Sequence, residues 1–403
     1  MKRENLSNIF PALLLCMMAA FFAACSSDSG AKKLFPVVKD GKWGYMNNQG
    51  KIVIEPQFDA ARDFHDGLAL VSKFDKSGDS NAQAKNGKDG YIDETGKFVI
   101  EPQFITEGSG FAFSSTQTKR NFSDGLAVVT IGPSTQNKSY NNVIWDEKLA
   151  AIDKTGKIVF EIDPKYEVKD GFSDGMLLVG LKNVDGKADK FGFLDKTGKV
   201  AIEPKYITAF PFSEGLAAVS MHDERYGKKD VYHGYIDTSG KTAIEFQFKQ
   251  ALPFSEGLAA VISEDGGDNF EFIDKTGKMA INRRFPQVGD FHDGLVVSQD
   301  PLAYTLIDKT GSSVGEREYG TARNNFSEGL AIVTDDKKKM QIIDKSGDIV
   351  APVDEAVRSG RIGDFQGGLC RIIDDDEKGD AILSYINKKG KIVWKDKMDK
   401  MDR

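Results

Sequence analysis

Gly41-Lys42-Trp43-Gly44-Tyr45-Met46-Asn47-Asn48-Gln49-Gly50-Lys51-Ile52-Val53-Ile54-Glu55-Pro56-Gln57-Phe58, followed by Phe64-His65-Asp66-Gly67-Leu68, is the stretch whose reading decides the fold. It holds two short signatures that recur along the chain, and an internal repeat has to be read before any local feature. The first signature places Asp or Asn three residues before Gly. After Asn47–Gly50 it returns at Asp93-Glu94-Thr95-Gly96-Lys97, Asp153-Lys154-Thr155-Gly156-Lys157 and Asp195-Lys196-Thr197-Gly198-Lys199. Further copies occupy 237–241, 274–278, 308–312, 344–348 and 387–391. The second signature is Phe-x-acid-Gly-apolar, at Phe64, Phe122, Phe172, Phe212, Phe254, Phe291 and Phe326; at Phe365 the acid is replaced by Gly367. The separation from turn Gly to second-signature Gly is 17 residues in four copies, Gly50 to Gly67, Gly198 to Gly215, Gly240 to Gly257 and Gly277 to Gly294.

The chemistry of the first signature predicts a hairpin. Asp or Asn at the first position of a type I turn accepts backbone N–H groups further along, and Gly at the fourth takes positive φ in a G1 bulge. Short runs flank it, such as Gly90-Tyr91-Ile92 before and Lys97-Phe98-Val99-Ile100 after, and their length and β-branching read as strands. A third strand follows the second signature, as in Leu126-Ala127-Val128-Val129 and Leu216-Ala217-Ala218-Val219. Pro in Glu55-Pro56, Glu101-Pro102 and Glu203-Pro204 lacks an N–H and reads as the point where the chain leaves the sheet. The expectation is an all-β tandem array of about nine three-stranded antiparallel meanders, each too small to stand alone and burying its apolar face on its neighbours. An open superhelix is the favoured arrangement, because no fourth strand is visible and unit lengths drift; a closed propeller-like ring is the alternative.

These residues resemble the WG (or KWG) repeat family of bacterial proteins, through Lys42-Trp43-Gly44-Tyr45 running on to Phe64-His65-Asp66-Gly67-Leu68. The likeness covers about residues 34–395. The Trp-Gly pair itself stands only at Trp43-Gly44; elsewhere the place holds Asp89-Gly90, Phe191-Gly192 or His233-Gly234. The resemblance implies a repeat scaffold and no catalytic residues.

The first residues read as an address. Met1-Lys2-Arg3 is a positive start, 9–22 is an apolar run of signal-peptide length, and Phe22-Ala23-Ala24-Cys25 then leads into Ser26-Ser27-Asp28-Ser29-Gly30. This resembles a bacterial lipobox, with Phe22 where an aliphatic residue is usual. The resemblance implies removal of 1–24, acylation of Cys25 as with palmitate, a tether over 25–33, the repeat domain over 34–395 and a polar tail over 396–403. Several acyl chains give stable anchoring at about 0.8 kcal/mol per buried methylene. Ser26 points to the outer rather than the inner membrane. With Cys16 removed and Cys25 acylated, Cys370 is left alone, so packing and not a disulfide must hold the fold.

The 403 residues carry a formal net charge of -7 with no basic cluster, which argues against nucleic acid. A nucleophile elbow, a phosphate loop, a zincin helix and a dinucleotide fingerprint are all missing from the sequence, so a non-enzymatic protein without cofactor or metal is expected. The repeated acids read as turn caps and not as a calcium array, and His65 and His292 as loop residues at a variable position of the second signature. His222 and His233, in one insertion, match no strong ligand spacing. Four insertions interrupt the repeats, 75–89, 105–121, 131–146 and 222–232. The second and third are rich in Ser, Thr, Gln and Asn and carry Phe111, Phe113, Tyr140 and Trp145, the candidate binding residues. The functional expectation is a lipid-anchored envelope scaffold binding an unknown envelope protein, with a carbohydrate-binding lipoprotein of a glycan-uptake system as the alternative.

Overall fold

A computed structural model describes residues 33–74, 87–106, 119–139, 142–183, 186–222, 230–300, 303–322, 325–335, 337–358 and 360–398. Strands dominate these residues, and every pairing between neighbouring strands among them is antiparallel. The expected Asp/Asn-to-Gly hairpins form in all nine places. In each, the Gly N–H donates to the first residue's carbonyl (Gly96 to Asp93, 2.9 Å; Gly390 to Asn387, 2.9 Å) and the Gly has positive φ. The side-chain oxygen does the capping work: Asp153 Oδ1 accepts the N–H of Thr155 at 2.9 Å, the N–H of Lys157 at 3.1 Å and the Thr155 hydroxyl at 2.6 Å. The same geometry builds three hairpins that the first signature did not include, at Asn183, Asp335 and Asp376.

Among the described residues six of the nine units have one strand more than the three expected. In the fourth unit a lead strand, Tyr166–Ser173, precedes Met176–Lys182, Ala188–Asp195 and Val200–Tyr206, paired in that order. The lead strand ends in the second signature, whose acid and Gly both have positive φ (Asp174 51°, Gly175 79°), the backbone of a tight two-residue hairpin turn. Lead strands are short. Those of the fifth, seventh and eighth units are Thr208–Ala209, Gln287–Val288 and Thr321–Ala322. In the third and sixth units the place is taken by the end of the preceding unit's last strand, which pairs Ile105 with Thr130 and Gln250 with Ile262 and fuses two units into one seven-stranded sheet. The first unit has three strands among the described residues, Phe35–Lys39, Lys42–Met46 and Ile52–Phe58.

The Glu-Pro step does not end its strand. Pro56 lies inside Ile52–Phe58, where the register jumps from Tyr45↔Ile54 to Trp43↔Phe58. Glu55, Pro56 and Gln57 therefore bulge opposite a single residue, Gly44, and a bulged residue needs no ladder donor. The bulge also explains the Gly of the Trp-Gly pair. A Cβ on Gly44 would stand 2.4 Å from the Ile54 carbonyl oxygen, and one on Gly90, Gly192 or Gly234 would meet Ile100, Ile202 or Ile244 at 2.6, 2.5 and 2.8 Å.

The core is a series of interfaces. Aromatic side chains on the third strand of one unit pack on the second-signature Phe of the next, as in Tyr45–Phe64, Tyr91–Phe122, Phe193–Phe212, Tyr235–Phe254 and Phe272–Phe291, at 4.8 to 5.0 Å between centroids. Seven buried clusters each join two consecutive units from the second to the ninth. The eighth unites the two ends of the chain: Phe35, Val37, Trp43 and Tyr45 of the first unit, Ala61, Ala69 and Val71 of the second, and Leu369, Leu383 and Tyr385 of the ninth. The Tyr385 hydroxyl donates to the Pro36 carbonyl at 3.0 Å, and the Tyr385 ring meets Phe35 edge-on at 5.5 Å. Of the two arrangements read from the sequence, the structure takes the closed ring and not the open superhelix. A lead strand in six units, and the end of the preceding unit's last strand in the third and sixth, supplies the fourth strand on whose absence the open form rested.

Candidate functional site

Antiparallel alternation sorts the loops of every unit onto two ends. Both Gly signatures turn the chain at one end, and the second-to-third-strand loops and the unit-to-unit connections lie at the other. The strands that bound all four insertions end at this second, loop-bearing end.

The signature end is occupied by bonds between units. Each second-signature carboxylate accepts the Gly N–H of the next unit's second signature: Asp66 from Gly125 at 2.9 Å, Asp124 from Gly175 at 2.7 Å, Asp174 from Gly215 at 2.6 Å and Glu214 from Gly257 at 3.0 Å. The series continues with Glu256 from Gly294 at 2.8 Å, Asp293 from Gly329 at 2.7 Å and Glu328 from Gly368 at 2.9 Å. The Lys of the next unit's hairpin closes the clasp on the acid's carbonyl, Lys154 on Asp66 and Lys196 on Asp124 at 2.6 Å, and Lys309 on Glu256 at 2.8 Å. Ser before the acid adds a third bond, from Ser173 to the Phe212 carbonyl at 2.6 Å and from Ser213 to the Phe254 carbonyl at 2.7 Å. Burial pushes the Glu256 carboxyl up; Lys309 and the Gly294 N–H outweigh it and hold the group below its ordinary range. Glu328 is lowered in the same way, with Lys388 and Gly368 as its partners. The acids that resemble a calcium array thus serve backbone donors. Among the described residues no group of three or more His, Cys, Asp or Glu is placed to hold a metal.

At the joint between the ninth and first units the clasp changes its chemistry. Gly367 offers no carboxylate; Asn48, in the hairpin place that Lys154 holds elsewhere, donates to the Gly367 carbonyl at 3.2 Å, and Lys33 bonds Gln366. Arg371 of the ninth unit reaches past the first to grip both carboxylate oxygens of Asp63 in the second, at 2.8 and 3.0 Å.

The loop end is chemically varied. Asp89, where the first unit has Trp43, is fully buried against the equally buried Arg120 guanidinium and accepts the hydroxyls of Ser72 at 2.5 Å and Thr106 at 2.8 Å. The reading of the sequence passed over Arg120; its signal was an Arg two residues before a signature Phe in the one copy with Asp before Gly. The strands of the third unit, Leu126–Ser139 and Asn142–Asp153, run far past their siblings. Beyond Gly132 and Lys148 they pair only with each other among the described residues, from Thr135↔Asp146 to Ser139↔Asn142, a two-stranded arm. Seven residues from 133 to 139 give it a reach of roughly 23 Å. Trp145 lies in this arm, paired with Gln136. Cys25, Phe111, Phe113 and Tyr140 lie outside the described residues. His65 and His233 are both lowered, first of all by burial. Cys370 is buried, with its thiol pushed up to about 12 by burial and bonded to the Gly363 carbonyl. A cleft of about 300 Å³ between the seventh and eighth units holds Gln287, Gln299, Tyr304 and Asn325; nothing in the repeat signatures announces it.

No curated protein matches the sequence. Among solved structures, the chain is similar to a eukaryotic initiation factor, with 9% identity over 91% of this chain and 96% of that one and a TM-score of 0.56, a likeness of fold. BamB from Moraxella catarrhalis gives 12% identity over 87% and 99% at a TM-score of 0.43. The family model described as the WG containing repeat matches residues 43–76, 90–104, 191–225, 234–265, 272–297 and 304–338. Residues 105–190, with two of the insertions, and the stretch after 338, where the second signature loses its acid, fall outside these matches. Six stretches of the chain are therefore similar to the WG containing repeat.

Proposed function

We propose that this protein is a non-catalytic repeat scaffold, tethered through an acylated Cys25 to a bacterial envelope membrane, the outer one on the reading of Ser26, and that it binds an envelope protein through its loop-bearing end. The observation that carries the reading is the division of labour between the two ends. One end commits its carboxylates, glycines and lysines to neighbouring units. The other gathers every insertion boundary and projects the arm of the third unit. A repeat array that spends one rim on its own assembly has the other free for partners.

The test is in-envelope crosslinking followed by capture of the full-length protein, compared with a variant in which residues 133–147 are replaced by a short turn. The proposal expects one dominant envelope protein in the first capture and its loss in the second. Equal capture by both forms would contradict it. Metabolic labelling with an alkyne fatty acid checks the tether: label is expected on the wild type and none on Cys25→Ser.

The alternative, a carbohydrate-binding lipoprotein of a glycan-uptake system, draws support from the amide-lined cleft between the seventh and eighth units, uncharged among the described residues.

A further inference from the structure

We infer that the cleft between the seventh and eighth units is a binding site for a neutral saccharide, read by paired glutamine amides and a tyrosine ring. The inference deepens the glycan reading by giving it a site away from the residues around Phe111 and Trp145. Three observations carry it.

The first is register. Gln287 on the lead strand pairs with Gln299 on the second, and Gln299 with Tyr304 on the third, so the three residues form one row across the sheet near its loop-bearing end. In the fifth and eighth units the first two places of this row are closed on themselves: the hydroxyls of Thr208 and Ser220 bond at 2.6 Å, and those of Thr321 and Thr334 at 2.8 Å. In the second unit Ser72 is spent on Asp89. The seventh unit substitutes two amides for the hydroxyls, and neither side chain has a hydrogen-bond partner among the described residues; nor do the Asn325 amide and the Tyr304 hydroxyl. Asn325 donates its backbone N–H to Asp364, which fixes the loop that carries it.

The second is charge. Among the described residues the cleft's lining is Gln287, Val288, Gly289, Val297, Gln299, Tyr304, Ala322 and Asn325, all uncharged in a chain with 29% charged residues. Among the described lining residues an acidic sugar finds no counter-charge. A primary amide both donates and accepts, as a sugar hydroxyl does, so three amides match a polyol whichever way its hydroxyls turn.

The third is shape. Val297 and Ala322 supply apolar surface beneath the amides, and half-exposed Tyr304 offers a ring to the C–H face of a pyranose. At about 300 Å³ the cleft is at the lower bound of small-ligand sites and takes one or two sugar rings.

The test is saturation-transfer NMR and calorimetry on the full-length protein with cellobiose, maltose and chitobiose as neutral probes and galacturonic acid as the charged one. At least one neutral probe is expected to bind with Kd at or below about 1 mM. Gln299→Ala and Tyr304→Ala are each expected to weaken it tenfold or more, with Tyr304→Phe close to wild type and every melting temperature unchanged. No binding of any neutral probe at about 10 mM, or a preference for galacturonic acid, would overturn the inference. Neutral-sugar binding that survives Gln299→Ala and Tyr304→Ala but is lost when 133–147 is shortened would overturn this site while leaving the glycan reading in place.

Discussion

Two glycines of the same repeat are held for different reasons, and substitution separates them. Gly44 has no space: a Cβ would meet the backbone of the bulge at 2.4 Å, so Gly44→Ala must shift a strand. Overpacking of this kind destabilises by about 1–3 kcal/mol. Gly67 has space, with nothing within 4 Å of an added Cβ, and only its φ of 82° resists a side chain; Gly67→Ala should lose about 1 kcal/mol. Urea unfolding of the two variants is expected to rank Gly44→Ala as the worse. The acids before Gly67 and its counterparts take positive φ as well, a strain offset by the N–H and Lys bonds of the next unit. Glu256→Ala should lose about 1 kcal/mol at neutral pH, a modest value because the pair is part-exposed. Turn positions like these were legible in the sequence because their chemistry is local: an oxygen acceptor and a Gly at fixed spacing specify a hairpin with no help from the rest of the chain. The clasp partners were not, because Gly125 is 59 residues from Asp66 and spacing says nothing about contacts between units.

At the scale of the strand, buried chemistry replaces an aromatic in one place. Asp89 and Arg120 are both fully buried, with Ser72 and Thr106 completing the carboxylate's shell and the Ile105 carbonyl accepting from Arg120 at 3.0 Å. Removing one partner strands the other charge, so Arg120→Met alone should destabilise by about 3–5 kcal/mol. Adding Asp89→Phe, the residue type that the fourth unit holds there as Phe191, should recover much of that loss. Chemical denaturation of the two single variants and the double variant checks this; a double variant as unstable as the sum of the singles would contradict it. The lead strands show why part of the fold was hidden. Thr208–Ala209, Gln287–Val288 and Thr321–Ala322 are two residues long, too short for alternation to register, and only packing between units defines them. Pro56 misled for a related reason: a missing N–H terminates a regular ladder, and here the ladder is bulged.

For the whole molecule, the joints set the response to acid. The hairpin acids Asp93, Asp153, Asp195, Asp237, Asp274 and Asp308 are held below the ordinary carboxylate range, first by the neighbouring Thr or Ser hydroxyl and then by backbone N–H groups. Glu256 and Glu328 are lowered in the clasps. A carboxylate lowered in the folded state stabilises it above the unfolded pKa, and that contribution disappears as pH falls through the folded value. The melting temperature should therefore be level from pH 7 to about 5 and drop steeply toward pH 3, with Glu256→Ala converging on wild type at the acid end. The closing joint has lost its carboxylate and leans on Arg371–Asp63, Tyr385–Pro36 and Asn48–Gly367. Arg371→Ala should thus raise amide exchange first in Phe35–Lys39 and Leu369–Asp375 while the fourth to sixth units keep their protection.

Closure of the chain into a ring is most directly tested by the distance between its first and last sheets. Spin labels placed on the exposed Gln49 and Gln366 of the full-length protein would be read by pulsed dipolar spectroscopy. Neighbouring packed sheets put the labels within about 20 Å of each other. An open run of nine sheets at roughly 10 Å spacing would separate them by several tens of ångströms, and a distribution centred there would contradict the account.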